Sequence, residues 1–231
     1  MELPTQVPVM TLPSATLFPQ ALLPLYIFEA RYRKMLADAL QTHRMFSVAM
    51  QDPAKTREKP CNIAGLGLIR VSVDHADGTS HLILQGITRV ELVETVQTRP
   101  YRVESIRPLT TAAQDSVVID ALVAKVLELV RQRLKVGPPP FPFPALGPTD
   151  KPNKKSKAKA SAVAAEDVIN YLEQLTGADQ LADMVSCAVL SSPIARQTIL
   201  STLNTEERLK HLIHFLLAEV AHYQKGGKGS G

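Results

Sequence analysis

Hydrophobic positions along the chain follow two different periods. Up to about residue 110 they alternate with polar ones or form short bounded runs, and beyond about 115 they recur every three or four residues. Val7–Leu12 is a short β-branched run bounded by prolines, and Leu22–Phe28 is a second apolar run. Pro24 interrupts the latter, which suits an edge strand or a bend. Between Glu29 and Gln41 the period changes, with Tyr32, Met35, Leu36, Ala39 and Leu40 at helical spacing, and Phe46–Met50 returns to strand character. Ile63–Val73 sets Leu66, Leu68, Arg70 and Ser72 against Gly65, Gly67, Ile69, Val71 and Val73. Leu82–Val96 carries Val90, Leu92, Glu94 and Val96 on one parity. Asp77-Gly78 between these two runs marks a hairpin turn. After Arg99-Pro100, Tyr101–Ile106 supplies a last strand. The pattern predicts a compact, partly closed β subdomain over residues 1–110, with about six strands and one helix.

The rest reads as a helical bundle over 115–222, so the expected class is α+β. Asp115 or Ser116 can cap a helix reaching about Val136, with Lys125, Glu128, Gln132 and Lys135 as one polar stripe on an apolar rod. Residues 137–161 then turn proline-rich and lysine-rich, which excludes helix and sheet and predicts a disordered insert. Glu166–Thr176 reads as a helix ended by a C′ glycine, Gly177. Asp179 can cap a helix through Leu190, and Ser192-Pro193 starts another to Leu203. Asn204 with Glu207 reads as a capping box before a last helix that buries Leu209, Leu212, Ile213, Leu216, Leu217 and Val220. A flexible tail is expected at 223–231.

Charge changes this picture less than the isoelectric point of about 9.1 suggests. Lys151, Lys154, Lys155, Lys157 and Lys159 against Asp150 account for the whole net charge of +4, so the remainder of the chain is neutral. Nucleic acid is therefore not the expected partner. Cys61 and Cys187 offer neither a disulfide framework nor zinc-ligand spacing. No stretch has the length of a membrane span, and the first residues lack the pattern of a signal peptide. A cytoplasmic protein is expected. Tryptophan is absent and aromatics make up 5% of the chain, so any apolar surface site must be built from Leu, Met, Phe and Tyr.

Several stretches, in order, resemble the N-terminal domain of Lon proteases and its stand-alone bacterial relatives. The most specific are Leu12-Pro13, Leu17-Phe18-Pro19 and Leu23-Pro24-Leu25-Tyr26-Ile27-Phe28-Glu29-Ala30-Arg31-Tyr32-Arg33. Ile63-Ala64-Gly65-Leu66-Gly67, Gly86-Ile87-Thr88-Arg89 and Tyr101-Arg102-Val103-Glu104 follow. Leu181-Ala182-Asp183, Gln197, Ile199-Leu200 and Glu207-Arg208-Leu209 complete the set. The resemblance implies a PUA-like β subdomain, then a helical bundle, used to engage protein substrates or partners without ATPase or peptidase domains.

Candidate contact residues are Phe18, Tyr26, Phe28, Glu29, Arg31, Tyr32 and Arg89. Each also has a structural reading: aromatics beside strands are usually core, and Glu29 with Arg31 can secure the start of a helix. Gly86 can permit a bulge or a close backbone approach. Enzyme constellations fail on inspection. A phosphate-binding loop needs Gly-x4-Gly-Lys-[Ser/Thr] between a strand and a helix, whereas Gly227-Lys228-Gly229-Ser230 falls in the last few residues, with no helix expected after it. Nothing places a base beside Ser186, Ser191 or Ser192. Glu207, His211 and His214 share a helical face and Glu219-x-x-His222 copies half of a di-iron motif, but the other half is missing. The expected function is non-catalytic binding of unfolded polypeptide or a specific protein partner, without metal, cofactor or membrane. The alternative is an RNA-binding PUA-like protein that uses the lysine-rich insert.

Overall fold

The computed structural model of the chain describes residues 2–55, 58–111, 116–137, 139–140 and 165–226. Almost all of the expected insert, Asp115 and the end of the expected tail lie outside them. The fold is α+β, in two compact units, Met1–Thr110 and Thr111–Gly231.

The first unit contains β1 (Gln6–Leu12), β2 (Leu22–Ile27), α1 (Ala30–Gln41), β3 (Met45–Met50), β4 (Ile63–Asp74), β5 (Ser80–Gln97) and β6 (Arg102–Leu109). The sheet order is β2-β5-β4-β3-β1-β6, and β5 also pairs with β6. Five strands therefore close into a ring, and β2 is joined to its outside. Closure disposes of exposed strand edges within the ring. It is possible because β5 runs for 18 residues, with its first part against β2 and its second against β6. β1 lies parallel to β3, and the other pairs are antiparallel. Tyr32, Met35, Leu36 and Ala39 of α1 are buried at the expected helical spacing. They join Met10, Leu17, Phe46 and Leu84 in one cluster, while Val7, Val9, Leu66 and Val90 form a second.

The link between β1 and β2 is pinned to the sheet through glycines. A Cβ added to Gly65 would stand 1.9 Å from the Leu17 carbonyl oxygen, and one added to Gly86 would stand 1.9 Å from that of Phe18. Gln20 N–H donates to the Gly86 carbonyl and Gly86 N–H to the Ala21 carbonyl, both at 2.8 Å. Leu17 and Phe18 are thereby held in the interior at 1% exposure. The role read for Gly86 as a point of close backbone approach is the one observed.

The second unit contains α2 (Val117–Lys135), α3 (Ala165–Glu173), α4 (Ala178–Val189), α5 (Pro193–Ser201) and α6 (Thr205–Gly226). Ser116 accepts from Ile119 N–H at 3.2 Å, Ser192 from Ala195 N–H at 3.3 Å, and Asn204 Oδ1 from Glu207 N–H at 3.0 Å. Two expectations need correction. Gly177 is not a left-handed C′ residue: with φ −121 and ψ 130 it is the N-cap of α4, and Asp179 sits in that helix's first turn. Gln174 and Leu175 N–H bond three residues back and tighten the end of α3, so no left-handed glycine is required. The last helix also runs to Gly226, past the expected end at 222, and the Arg133 guanidinium lies 3.6 Å from the centroid of the Tyr223 ring.

This unit also buries charge that periodicity did not reveal. Arg208 is fully buried, donates to the carbonyls of Thr202 at 2.7 Å and Leu203 at 3.2 Å, and lies 3.6 Å from Asp183. The Leu181-Ala182-Asp183 and Glu207-Arg208-Leu209 stretches thus meet as an ion pair. Removing one member of a buried pair leaves the other charge without its counterion. Asp183→Ala is expected to lower unfolding free energy by about 3 kcal/mol, and Gly86→Val by about 3 kcal/mol through the clash with Phe18. Urea denaturation checks both.

Candidate functional site

The exposed surface of the first unit that carries chemistry arises from a break in register. β4 pairs Ile69 with Leu84 and then Val71 with Ile83, which makes Arg70 an extra residue. A bulge of this kind moves the following side chains to the other face. Ile69 is buried at 2% exposure, while Val71 and Val73, of the same parity, are 47% and 52% exposed. The single alternation expected along Ile63–Val73 is therefore not observed. A second irregularity, between Leu66 and Gly67, shifts the register again nearer the ring.

Beyond the bulge, β2, β5 and β4 form a small sheet whose outer face is apolar. Two cross-strand rows cover it, Tyr26–His81–Val73 and Pro24–Ile83–Val71. Tyr26 stacks on Phe28 with ring centroids 5.7 Å apart, and its ring lies tilted against that of His81 at 4.8 Å. His75 Nε2 and His81 Nδ1 lie 2.7 Å apart, so one ring donates a hydrogen to the other. The face holds an open depression of about 410 Å³ lined by Pro24, Leu25, Tyr26, Val71, Val73, His81, Leu82 and Ile83, with no carboxylate, lysine or arginine. A contiguous exposed apolar patch is costly in water and marks an interaction surface. Among the described residues β2 pairs with β5 alone, so this patch borders an open strand edge. The edge position suggested by Pro24 is the one observed.

The candidate residues are not all brought to this face. Tyr26 and Phe28 are on the surface, the latter 60% exposed, whereas Phe18, Tyr32 and Arg89 are core residues. Glu29 is the N-cap position of α1, but its side chain makes no capping bond. Glu29 instead accepts from Arg31 Nε at 2.9 Å. Arg31 also forms a two-pronged pair with Glu58 at 2.7 and 2.9 Å, and this carboxylate raises its pKa above the ordinary arginine value. Arg31 thus ties the helix start to the segment between β3 and β4. The tie to the sheet comes from the Tyr32 hydroxyl, which donates to the Thr11 carbonyl at 3.1 Å. Arg89 sits on β5 opposite Gly65 and Leu109. Val71 and Val73 escaped the sequence reading because only the bulge turns them outward, whereas His81 and Ile83 follow the plain alternation of β5. Arg70, a charge inside a β-branched run, was the available signal.

In the second unit Glu219 is turned inward and accepts from the backbone N–H and the hydroxyl of Ser191, at 2.9 and 2.5 Å. Among the described residues no group of three or more His, Cys, Asp or Glu is placed to hold a metal ion, and no helix is long and apolar enough to cross a membrane.

The profile of the ATP-dependent protease La (LON) substrate-binding domain matches residues 6–218. The chain belongs to the LON substrate-binding domain family. It is 22% identical over 222 residues to the Lon protease of Dictyoglomus thermophilum, covering 95% of this chain and 25% of that protein. It is 24% identical to the Lon protease of Desulfosudis oleivorans, covering 98% of this chain and 26% of the relative. The chain thus spans about a quarter of the length of these relatives. Its fold matches the N-terminal domain of the Mycobacterium avium complex Lon protease with a TM-score of 0.67 at 17% identity, over 92% of this chain and 98% of that one. The Lon N-terminal domain protein from Xanthomonas campestris matches with a TM-score of 0.61 at 17% identity, over 91% and 98%.

Two phenols in the first unit, Tyr32 and Tyr101, make its stability fall at alkaline pH. Burial pushes Tyr32 up to about 12, and burial together with the Asp38 carboxylate pushes Tyr101 up to about 12. A raised pKa means that the folded state holds the proton more tightly. The stabilisation is complete below the ordinary value of 10.0 and is lost as pH rises towards 12. The urea midpoint is expected to fall over that window, and less steeply in Tyr32→Phe.

Proposed function

We propose that this LON substrate-binding domain binds polypeptide through the outer face of β2, β5 and β4, and performs no chemistry on what it binds. The observation that carries the reading is the two-row apolar grid, with no carboxylate, lysine or arginine in its depression, beside an open strand edge. Exposed apolar side chains of an unfolded chain gain by leaving water here, whereas a folded protein keeps such groups inside. The relatives are named Lon protease and the matched profile is named for substrate binding, which supports a protein substrate or partner as the ligand. Binding of this kind needs no nucleotide, metal or nucleophile. The RNA alternative rests on the lysine-rich segment, which lies outside the described residues, and no observation favours it.

The full chain should bind a reduced, carboxymethylated globular protein without ATP and ignore the same protein in its native state. Ile83→Lys, a change on the exposed face, should weaken that binding about 10-fold or more while leaving the unfolding midpoint nearly unchanged. Equal binding by the unchanged chain and the Ile83→Lys variant, measured by fluorescence anisotropy, would remove the face from the account.

A further inference from the structure

We infer that the bound segment joins the sheet as an added strand on the open edge of β2, and that it is extended, uncharged and apolar at every second residue. The inference rests on the polypeptide-binding reading of this face and adds the way in which the segment is held.

The backbone supplies the first part. β2 runs for six residues, Leu22–Ile27, and among the described residues all of its ladder partners lie on β5. A strand edge left open in this way is a template for another extended chain, which gains main-chain hydrogen bonds regardless of its sequence.

The side chains supply the second. Along β2, Leu22, Tyr26 and the following Phe28 are 42%, 49% and 60% exposed, and Leu23 and Leu25 lean instead on the core cluster. A strand laid beside β2 shares this two-residue period. Every second residue would stand next to Leu22, Pro24 and Tyr26 on the apolar face. A charged residue beside Pro24 or Tyr26 would lose water without meeting a carboxylate, lysine or arginine, because the lining of the depression carries none.

Pro24 decides between a foreign segment and a second copy. It lies near the middle of β2 and has no N–H to donate. Antiparallel pairing of two copies of β2 about their centres would bring both prolines into the same short ladder and forfeit donors on both sides. A segment with its full set of N–H groups makes the more complete ladder.

The test uses the full chain and a fluorescein-labelled synthetic peptide in which valine and serine alternate between lysine ends. N-methylation of the valine amides, or of the serine amides, removes N–H groups from one edge of the peptide strand only. One of these two sets should weaken binding about 10-fold or more, and the other should leave it unchanged. Replacing the valines by glutamates should also abolish binding. Strand addition is overturned if neither methylated set matters while Ile83→Lys still weakens binding, an outcome that keeps the face as a polypeptide site. If no peptide or unfolded protein binds at all, the functional reading fails with it.

Discussion

The pairing of β5 with β4 decides what the first unit buries and what it shows. Near the ring the two strands pack on the link between β1 and β2, through glycines that leave no room for a side chain. Farther out, the extra residue at Arg70 turns Val71 and Val73 from the buried parity to the exposed one. The same long strand then offers its free flank to β2 and its other end to β6. Core, barrel closure and apolar outer face therefore depend on one register.

Much of the fold was legible because elements with one buried face announce their period. The α1 stripe, the hairpin at Asp77-Gly78 and the caps at Ser116, Ser192 and Asn204 are local signals with local causes, and each is where the sequence put it. Gly177 misled because a glycine after a helical run suits both a left-handed C′ position and an extended N-cap, and only the path of the backbone distinguishes them.

The candidate site was less legible, for a physical reason. Tyr26 and Phe28 could be named from the chain, but a bulge is a relation between two strands, so the parity of Val71 and Val73 could not be read from β4 alone. Buried charge was hidden in the same way. Arg133, Arg208 and Asp183 look like ordinary surface residues of amphipathic helices, yet all three are buried. Partners such as the Thr202 carbonyl for Arg208 and the Gly137 carbonyl for Arg133 are backbone groups at helix ends, which an apolar stripe does not reveal. The most family-like stretches, around Leu17-Phe18-Pro19 and Glu29-Ala30-Arg31-Tyr32, serve mainly to hold the link and α1 in place. The proposed binding face lies beside them.

A domain built in this way separates framework from recognition: buried polar pairs and glycine contacts hold the scaffold, and an uncharged patch is left to face the solvent. Amide hydrogen exchange of the full chain, with and without saturating unfolded polypeptide, tests that separation most directly. The account predicts new protection at Leu22–Ile27 together with Val71–Val73 and His81–Ile83, and little change elsewhere. Protection confined to the helices of the second unit, with β2 exchanging as before, would contradict it.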